Sequence, residues 1–297
     1  MGAKTRIVRR RIRSVQSTKK ITRAMELIAS SRIVKAQQRV EASRPYAVTL
    51  TQAMEDLARN SGSLSHPLLE ERPTPAKVGV LLVTSDRGLA GAYNSNVLKI
   101  GEELLTGVRK RGLEAVVYVI GKKGIGYFRF RGVPMRADWQ GFSEVPPYEK
   151  AEEIGRRLIE DFAAGEIDEL HCAYTDFRSA FTLRATEQRF LPIAPEEVGG
   201  KETDKVHPEY LFEPAPERIL DHLLPQYLIT KVYAAMLESA ASENAARRRA
   251  MKAATDNAEE IIKVLTRQAN RARQDEITTE IMEIVGGAEA LSGASKE

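Results

Sequence analysis

Residues 83–96, VTSDRGLAGAYNSN, form the segment best suited to chemistry, because glycines and small polar residues follow the apolar run VGVLLV. Nucleotide-binding folds direct backbone amides at a phosphate from a glycine-rich turn of this kind. A Walker loop, however, needs a lysine followed by Ser or Thr, and a dinucleotide-binding loop needs the spacing G-x-G-x-x-G. Neither pattern occurs here or in GKKGIGYF, residues 121–128. The segment therefore predicts a tight strand-to-helix turn, with Asn94 or Ser95 capping the helix.

The other chemically capable residues do not form a recognisable site. The four histidines, His66, His171, His207 and His222, are scattered and lack the spacing of metal ligands. The single cysteine, Cys172, excludes an internal disulfide and is expected to be a buried apolar residue of a strand. No nucleophile, base and orienting acid occur together. We therefore predict no catalytic residue, no metal site and no cofactor.

The elements that carry these segments differ along the chain. Residues 4–59 contain no glycine and one proline, Pro45, which predicts a single long N-terminal helix. Residues 60–77 are rich in Gly, Ser and Pro and predict a linker. Strands then alternate with helices, which predicts an α/β domain with a largely parallel sheet. The predicted strands are VGVLLV, EAVVYVI, VPMRADW and IDELHCAYT, with predicted helices at 95–110, 122–131 and 148–164 and an alternating segment at 181–193.

A second long helix is predicted from Pro216 to Ile284, with Gly286 and Gly287 as its stop. A seven-residue repeat places one stripe of residues on its surface, which predicts a coiled-coil seam with a polar interruption. The stripe consists of Met251, Ala254, Ala258, Ile261, Leu265, Gln268 and Ala272. The N-terminal helix offers Ile21, Met25, Ile28 and Ala29 as a matching face. We predict that the two chain ends form an antiparallel coiled coil that projects from the α/β domain.

Charge is concentrated at the N-terminus. Residues 1–44 contain thirteen lysines and arginines but only two acids, Glu26 and Glu41. Such a segment implies an acidic partner. A nucleic-acid-binding coiled-coil arm is one interpretation, although Tyr46 is the only aromatic residue before Tyr93 and base stacking needs more. An acidic protein partner is favoured, and a small-molecule α/β enzyme is a third interpretation. The longest apolar runs are too short to span a bilayer, and no secretory signal is expected.

Four segments together resemble one known family. They are residues 242–287, SENAARRRAMKAATDNAEEIIKVLTRQANRARQDEITTEIMEIVGG; residues 4–37, KTRIVRRRIRSVQSTKKITRAMELIASSRIVKAQ; TSDRGLAGAYNSN; and EYLFEPAPERIL. The chain resembles, from end to end, the gamma subunits of bacterial F-type ATP synthases. The resemblance implies a non-catalytic rotor shaft: an antiparallel coiled coil inside a ring of three alpha and three beta subunits. A Rossmann-like domain below it would hold the epsilon subunit and rest on the membrane-embedded c ring.

The resemblance also implies which residues touch partners. Arg247, Gln274 and Thr278 match the polar group that engages a beta-subunit loop, and Arg273 lies beside them. Met25 matches a position near the beta-subunit lever. The loop with Arg87, Gly88, Leu89 and Asn94 matches the segment that faces the same levers. Tyr210, Phe212 and Glu213 match the foot that meets the c ring.

The composition and periodicity described above divide the chain into 1–59 (N-terminal coiled-coil helix), 60–77 (linker), 78–209 (central domain), 210–287 (C-terminal coiled-coil helix) and 288–297 (tail). The location follows from the resemblance. The family works as a peripheral part of the cytoplasmic face of the bacterial cell membrane, coupling proton flow to ATP synthesis. Plastid members carry a regulatory pair of cysteines, and the single Cys172 excludes that regulation here.

Overall fold

The computed structural model describes residues 3–60, 66–179, 182–194 and 216–294. Five helices and five strands are present among these residues. In chain order they are α1 (Ala3–Asn60), β1 (Lys77–Val83), α2 (Tyr93–Lys110), β2 (Glu114–Ile120), α3 (Lys122–Phe130), β3 (Met135–Trp139), α4 (Tyr148–Ala163), β4 (Glu169–Phe177), β5 (Leu183–Leu191) and α5 (Pro216–Ala294). The prediction of an α/β domain between two long helical chain ends is confirmed.

The chain divides into two compact units. The first, here called the terminal-helix unit, consists of residues 1–28 and 248–297. The second, the sheet unit, consists of residues 29–247. Because α1 and α5 extend beyond these limits, each long helix contributes residues to both units.

The sheet unit is organised by one five-stranded sheet with the strand order β3-β2-β1-β4-β5. Strands β1 to β4 are parallel, and β5 pairs antiparallel with β4. The predicted strands VGVLLV and EAVVYVI are continuous apolar runs because the sheet is covered on both faces. In such a sheet, side chains at the carboxyl ends of neighbouring strands come together in the loops that follow.

Each face of the sheet has its own core. Val80 and Leu82 of β1 lie in a cluster with Val97 of α2 and Phe128 of α3. Leu81 lies in the opposite cluster, which also contains buried residues of α1, α4 and α5. The alternation follows from the period of two along a strand. Two faces of packed helices therefore fix the loops that begin at the carboxyl ends of β1, β2 and β3.

The terminal-helix unit pairs α1 with α5 in opposite directions. Thr5 Oγ1 donates to Glu276 Oε2 at 3.3 Å, and Lys19 Nζ contacts Glu259 Oε2 at 3.0 Å. The buried hydroxyls of Thr22 and Thr255 contact each other at 2.8 Å. Residue numbers rise along α1 as they fall along α5, so the two segments run antiparallel.

The buried stripe of α5 differs from the predicted seam at alternate positions. Met251, Ala258 and Leu265 are buried as predicted. Ile261 is 49% exposed and Gln268 is exposed, whereas Thr255 is buried. From Met251 the next buried residues are Thr255, four positions on, and Ala258, three positions further. The predicted seam had the opposite order, three positions to Ala254 and then four to Ala258. Isoleucine occupies both position 261 and position 262. Hydrophobicity alone therefore could not decide which of the two lies on the buried stripe.

Two further expectations about the helices were wrong. Ile21 and Ile28 are 59% and 52% exposed, so they do not lie on the buried face of α1. Helix α5 also continues through Gly286 and Gly287 to Ala294. Each glycine costs a helix only about 1 kcal/mol relative to alanine, and the good helix formers AEAL follow directly, with no proline after them.

Candidate partner-contact site

The loop between β1 and α2, residues 84–92, is fastened to the rest of the sheet unit through Asp86. One carboxylate oxygen of Asp86 accepts a hydrogen bond from the backbone amide of Lys122, the first residue of α3, at 3.1 Å. The other oxygen accepts from the amides of Gly141 and Ser143 at 2.8 and 3.0 Å. The amide of Asp86 in turn donates to Ser143 Oγ at 2.8 Å. One carboxylate therefore joins the ends of three parallel strands.

This arrangement answers the question of phosphate binding raised by the glycine-rich segment. The amide of Lys122 at the start of α3, where an anion would be favoured, already donates to Asp86. Burial would raise the pKa of Asp86, but the hydrogen bonds from the amides of Ser143, Gly141 and Lys122 outweigh it and lower that pKa. A cleft of about 430 Å³ is lined by Asp86, Arg87 and Lys122. A phosphate entering it would meet an ionised carboxylate.

The tip of the loop presents a strained and exposed leucine. Leu89 has a φ of +60° and is 62% exposed. Non-glycine residues seldom adopt this left-handed conformation, which costs about 1–2 kcal/mol. A large apolar side chain held in strain at the surface is typical of a functional contact. Arg87 is also exposed, and Gly88 is half-buried beside it.

Asn94 has a different position from the one predicted. Its Oδ1 accepts a hydrogen bond from the amide of Ser85 at 3.0 Å, and its Nδ2 donates to Ser85 Oγ at 2.8 Å. Helix α2 begins at Tyr93, and Ala92 occupies its cap without a side-chain hydrogen bond. Capping by Asn94 or Ser95 was therefore a wrong prediction. Asn94 instead holds the start of the loop, because its side-chain amide oxygen accepts the hydrogen bond of the Ser85 backbone N–H.

Arg247 is buried, with a side chain that is 6% exposed. Its Nη2 contacts Glu243 Oε1 at 2.5 Å and donates to the carbonyl oxygen of Gly88 at 3.3 Å. Its Nη1 lies 3.3 Å from Glu144 Oε1. The structure therefore brings together two predicted groups, Arg247 and the loop that contains Gly88.

The sequence analysis did not identify three charged residues near Arg247: Glu243 and Glu144, which contact Arg247, and Arg32, which contacts Glu144. Glu243 is buried, which raises its pKa against the opposing effect of Arg247. The pair Glu243 and Arg247 could have been found, since residues four apart on a helix face each other. Glu144 lies in the loop between β3 and α4, and Arg32 lies on α1. No sequence pattern points to either residue.

The remaining predicted contact residues are in the terminal-helix unit or outside the described residues. Arg273, Gln274 and Thr278 are exposed on α5, and Thr278 Oγ1 donates to the backbone carbonyl of Gln274 at 3.0 Å. Met25 is half-buried on α1. The predicted foot residues, Tyr210, Phe212 and Glu213, lie outside the described part of the chain.

Metal-ligating clusters and membrane-spanning helices are absent from the residues that the structure describes. Within 3–60, 66–179, 182–194 and 216–294, no three His, Cys, Asp or Glu side chains are placed to hold a metal ion. None of the helices described over those ranges has the length and apolar character that crossing a membrane requires. Cys172 is buried, as predicted, and burial raises the pKa of its thiol.

Comparisons with known proteins agree with one another. The sequence profile of a family described as ATP synthase matches residues 4–291. The "ATP synthase gamma chain" of Acidothermus cellulolyticus is 54% identical over 301 residues, covering 100% of both chains. The protein of the same name from Mycolicibacterium smegmatis is 52% identical and covers 99% of this chain and 100% of its own.

Solved structures show the same fold at lower identity. A rotor chain of the Euglena gracilis mitochondrial ATP synthase aligns with a TM-score of 0.62 at 14% identity, covering 93% of this chain and 100% of its own. A chain from the central stalk and c ring of the Tetrahymena thermophila mitochondrial enzyme aligns with a TM-score of 0.59 at 24% identity. It covers 79% of this chain and 99% of its own.

Proposed function

Because the chain belongs to the ATP synthase gamma chain family, we propose that it is the central rotor shaft of a proton-translocating F-type ATP synthase. In this role it couples rotation of the membrane c ring to conformational change at the beta-subunit sites. The sequence-based assignment to the family is confirmed. The relatives and structures described above give no support to the nucleic-acid-binding alternative.

The observation that carries the proposal is the pairing of the two chain ends. Cross-helix contacts at Thr5, Lys19 and Thr22 extend over five turns of α1. A pair of helices resists twisting and bending better than one helix, which is what transmission of torque requires. We propose that this pairing is a long antiparallel coiled coil with a seam of small and polar residues. A Rossmann-like domain at 78–209 is part of the same proposal.

Two surfaces are proposed to contact the beta subunits. The first is on the terminal helices, with the exposed residues Arg273, Gln274 and Thr278 of α5, and with Met25 of α1 further along the pair, on the far side of the Thr22–Thr255 contact. The second is the loop tip with Arg87 and Leu89. The positive φ of Leu89 supports a contact role, since strain persists where the surrounding structure and a function require it.

We propose that Arg247 and Asn94 act indirectly, by positioning the loop, and do not themselves contact a beta subunit. Both were predicted as contact residues, but Arg247 is buried and Asn94 bonds to Ser85. We propose that they hold the loop in position, through the carbonyl of Gly88 and the amide of Ser85 respectively. Their substitution would then change the orientation of Leu89.

The partners are those of a shaft in such a complex. We propose three alpha and three beta subunits around the terminal helices, an epsilon subunit on the sheet unit, and the c ring at a foot formed by Tyr210, Phe212 and Glu213. The chain itself would be non-catalytic. It would be held at the cytoplasmic face of the bacterial membrane by these partners.

Affinity purification from membranes of the native host tests the proposal. The tagged chain is expected to bring down alpha and beta subunits in equal amounts, each in about threefold excess over the chain, as the ring-and-shaft arrangement requires. The bound complex should hydrolyse MgATP and acidify inverted vesicles. Recovery of the chain alone, or turnover of a substrate by the isolated chain, would contradict the proposal.

A further inference from the structure

Three arginines from three separate elements converge on one carboxylate, Glu144. Arg32 of α1 bonds to Glu144 Oε2, and Arg87 of the β1–α2 loop lies 3.3 Å from the same oxygen. Arg247 of α5 lies 3.3 Å from Glu144 Oε1. The side chain of Glu144 is 15% exposed. All four residues belong to the sheet unit, so the cluster joins both long helices to the loop.

The two oxygens of Glu144 are held unequally. Oε1 is buried and accepts no hydrogen bond within the described residues, so its compensation there comes from the charge of Arg247. A buried carboxylate without a cation is strongly unfavourable, and the same holds for a buried guanidinium. Arg247 also contacts Glu243, which is buried and tied to the same helix. Glu144 therefore connects α5, through Arg247, to the loop between β3 and α4.

Asp86 and Glu144 act on different parts of the loop. Asp86 secures the start of the loop to the amides of Gly141 and Ser143. Glu144 contacts the side chain of Arg87 directly, and Arg247, its other partner, donates to the carbonyl of Gly88. The tip is therefore fixed by charge pairs, whereas the start is fixed by backbone hydrogen bonds.

We propose that Glu144 is a positioning residue that fixes Arg87 and Gly88 against the two long helices and so orients Leu89 towards a partner subunit. The proposal rests on the role given above to the loop tip as a beta-subunit contact. Under this proposal, a rotation of α1 or α5 reaches the loop tip through the ion pairs of Glu144, while the hydrogen bonds of Asp86 stay in place.

The first test measures the loop itself in the full-length chain. Cys172 is buried and the sole cysteine, so Leu89→Cys accepts a nitroxide spin label selectively. Glu144→Gln is expected to raise the mobile fraction of this label about fivefold, because it removes the charge that Arg87 and Arg247 contact. A label at Phe130, which is 92% exposed on α3, serves as the reference and should not change. Glu152→Gln, which removes a charge from the pair with Arg156 on α4, is the matched control.

The second test measures coupling in the reconstituted complex, with unlabelled chains. Glu144→Gln should lower proton pumping per ATP hydrolysed, and Glu152→Gln should not. Glu144→Gln and Arg247→Gln should be non-additive in both measurements, because each removes the same charge pair between Glu144 and Arg247.

The outcomes separate this inference from the proposed function. An unchanged label at Leu89 in Glu144→Gln, with Glu152→Gln as reference, would overturn the inference. A mobile label with full coupling would support the inference and contradict the role given to the loop tip. If Glu144→Gln does not fold, Glu144→Asp replaces it in the test, because the side chain is shorter by one methylene and its carboxylate lies further from the arginines. A Leu89 label that is unchanged in Glu144→Asp would equally overturn the inference.

Discussion

The two units of this chain bury different kinds of side chain. In the sheet unit, large residues such as Tyr118, Phe128 and Phe162 are at most 1% exposed. In the terminal-helix unit, Met251 and Leu265 are buried beside threonine and alanine, while isoleucines are exposed on both helices. The exposed apolar residues there are Ile7, Ile21, Leu27, Ile28, Ile261, Val264, Ile277, Ile281, Met282, Ile284 and Val285.

The difference indicates where each unit obtains its stability. Apolar burial contributes roughly 25 cal/mol per Å², so the sheet unit carries its own core. The terminal-helix unit leaves much of its apolar surface uncovered, and contiguous exposed apolar surface is typical of protein interfaces. We infer that the helices depend on partner subunits for part of their stability.

Truncation of a core aromatic residue should separate the two units most clearly. Phe162→Ala is expected to lower the free energy of unfolding by about 3–5 kcal/mol, because it leaves a cavity in a closely packed core. Met282→Ala, at a site that is 70% exposed, should change it by less than about 0.5 kcal/mol. Urea denaturation of the full-length chain, followed by circular dichroism, measures both. A large loss for Met282→Ala in the free chain would contradict the contrast.

A half-buried acid makes the stability of the sheet unit depend on pH. Burial and the nearby charge of Asp176 raise the pKa of Glu238 to about 7, despite a backbone hydrogen bond from Phe177 and the charge of Arg44. Between the ordinary pKa of a glutamate and about 7, the Glu238 carboxyl is therefore protonated in the folded chain but ionised in the unfolded chain. The Glu238 contribution is favourable at low pH and is lost as pH rises through that range.

Glu238→Gln removes that dependence. The variant is expected to be more stable than the parent by on the order of 1 kcal/mol at pH 8 and to match it at pH 5. Urea denaturation at both pH values gives the comparison. Asp176→Asn should give a smaller change in the same direction, because it removes only the charge repulsion. A stability difference that is independent of pH would contradict the assignment.

The sequence predicted the sheet unit well for a physical reason. A parallel strand covered on both faces must be apolar throughout, so VGVLLV and EAVVYVI identify β1 and β2 almost to the residue. The antiparallel pairing of β5 with β4 was not predicted, because alternation specifies a strand but not its partner.

The terminal helices and the candidate site were predicted less well. Hydrophobic spacing identified a seven-residue repeat, but the choice between Ile261 and Ile262 depends on the facing helix. The residues of the loop tip came from a family resemblance, whereas Glu144 and Arg32 are 112 positions apart and meet only in the folded chain. Long-range charge pairs leave no local pattern, so only the structure could identify them.

The strain at Leu89 gives a way to separate contact from conformation. Leu89→Gly and Leu89→Ala both remove the side chain, but only glycine adopts a positive φ without strain. The glycine variant is therefore expected to be up to about 1 kcal/mol more stable than the alanine variant. Both should lower proton pumping per ATP hydrolysed in the reconstituted complex. Full coupling in both variants would show that the leucine side chain makes no functional contact.

The smallest effect is expected at the buried hydroxyl pair of the terminal-helix unit. Thr22→Val should cost about 1 kcal/mol, because it deprives the Thr255 hydroxyl of its partner on the other helix. Adding Thr255→Val should restore much of that loss, since two apolar side chains of the same shape replace the pair. Thr266→Val is the matched control, because the exposed Thr266 bonds only within its own helix, to Ile262 O at 2.7 Å. Thermal unfolding of the four chains, followed by helical circular dichroism, gives the comparison. If Thr22→Val and Thr266→Val behaved alike, the hydroxyl contact would not stabilise the pairing of α1 with α5.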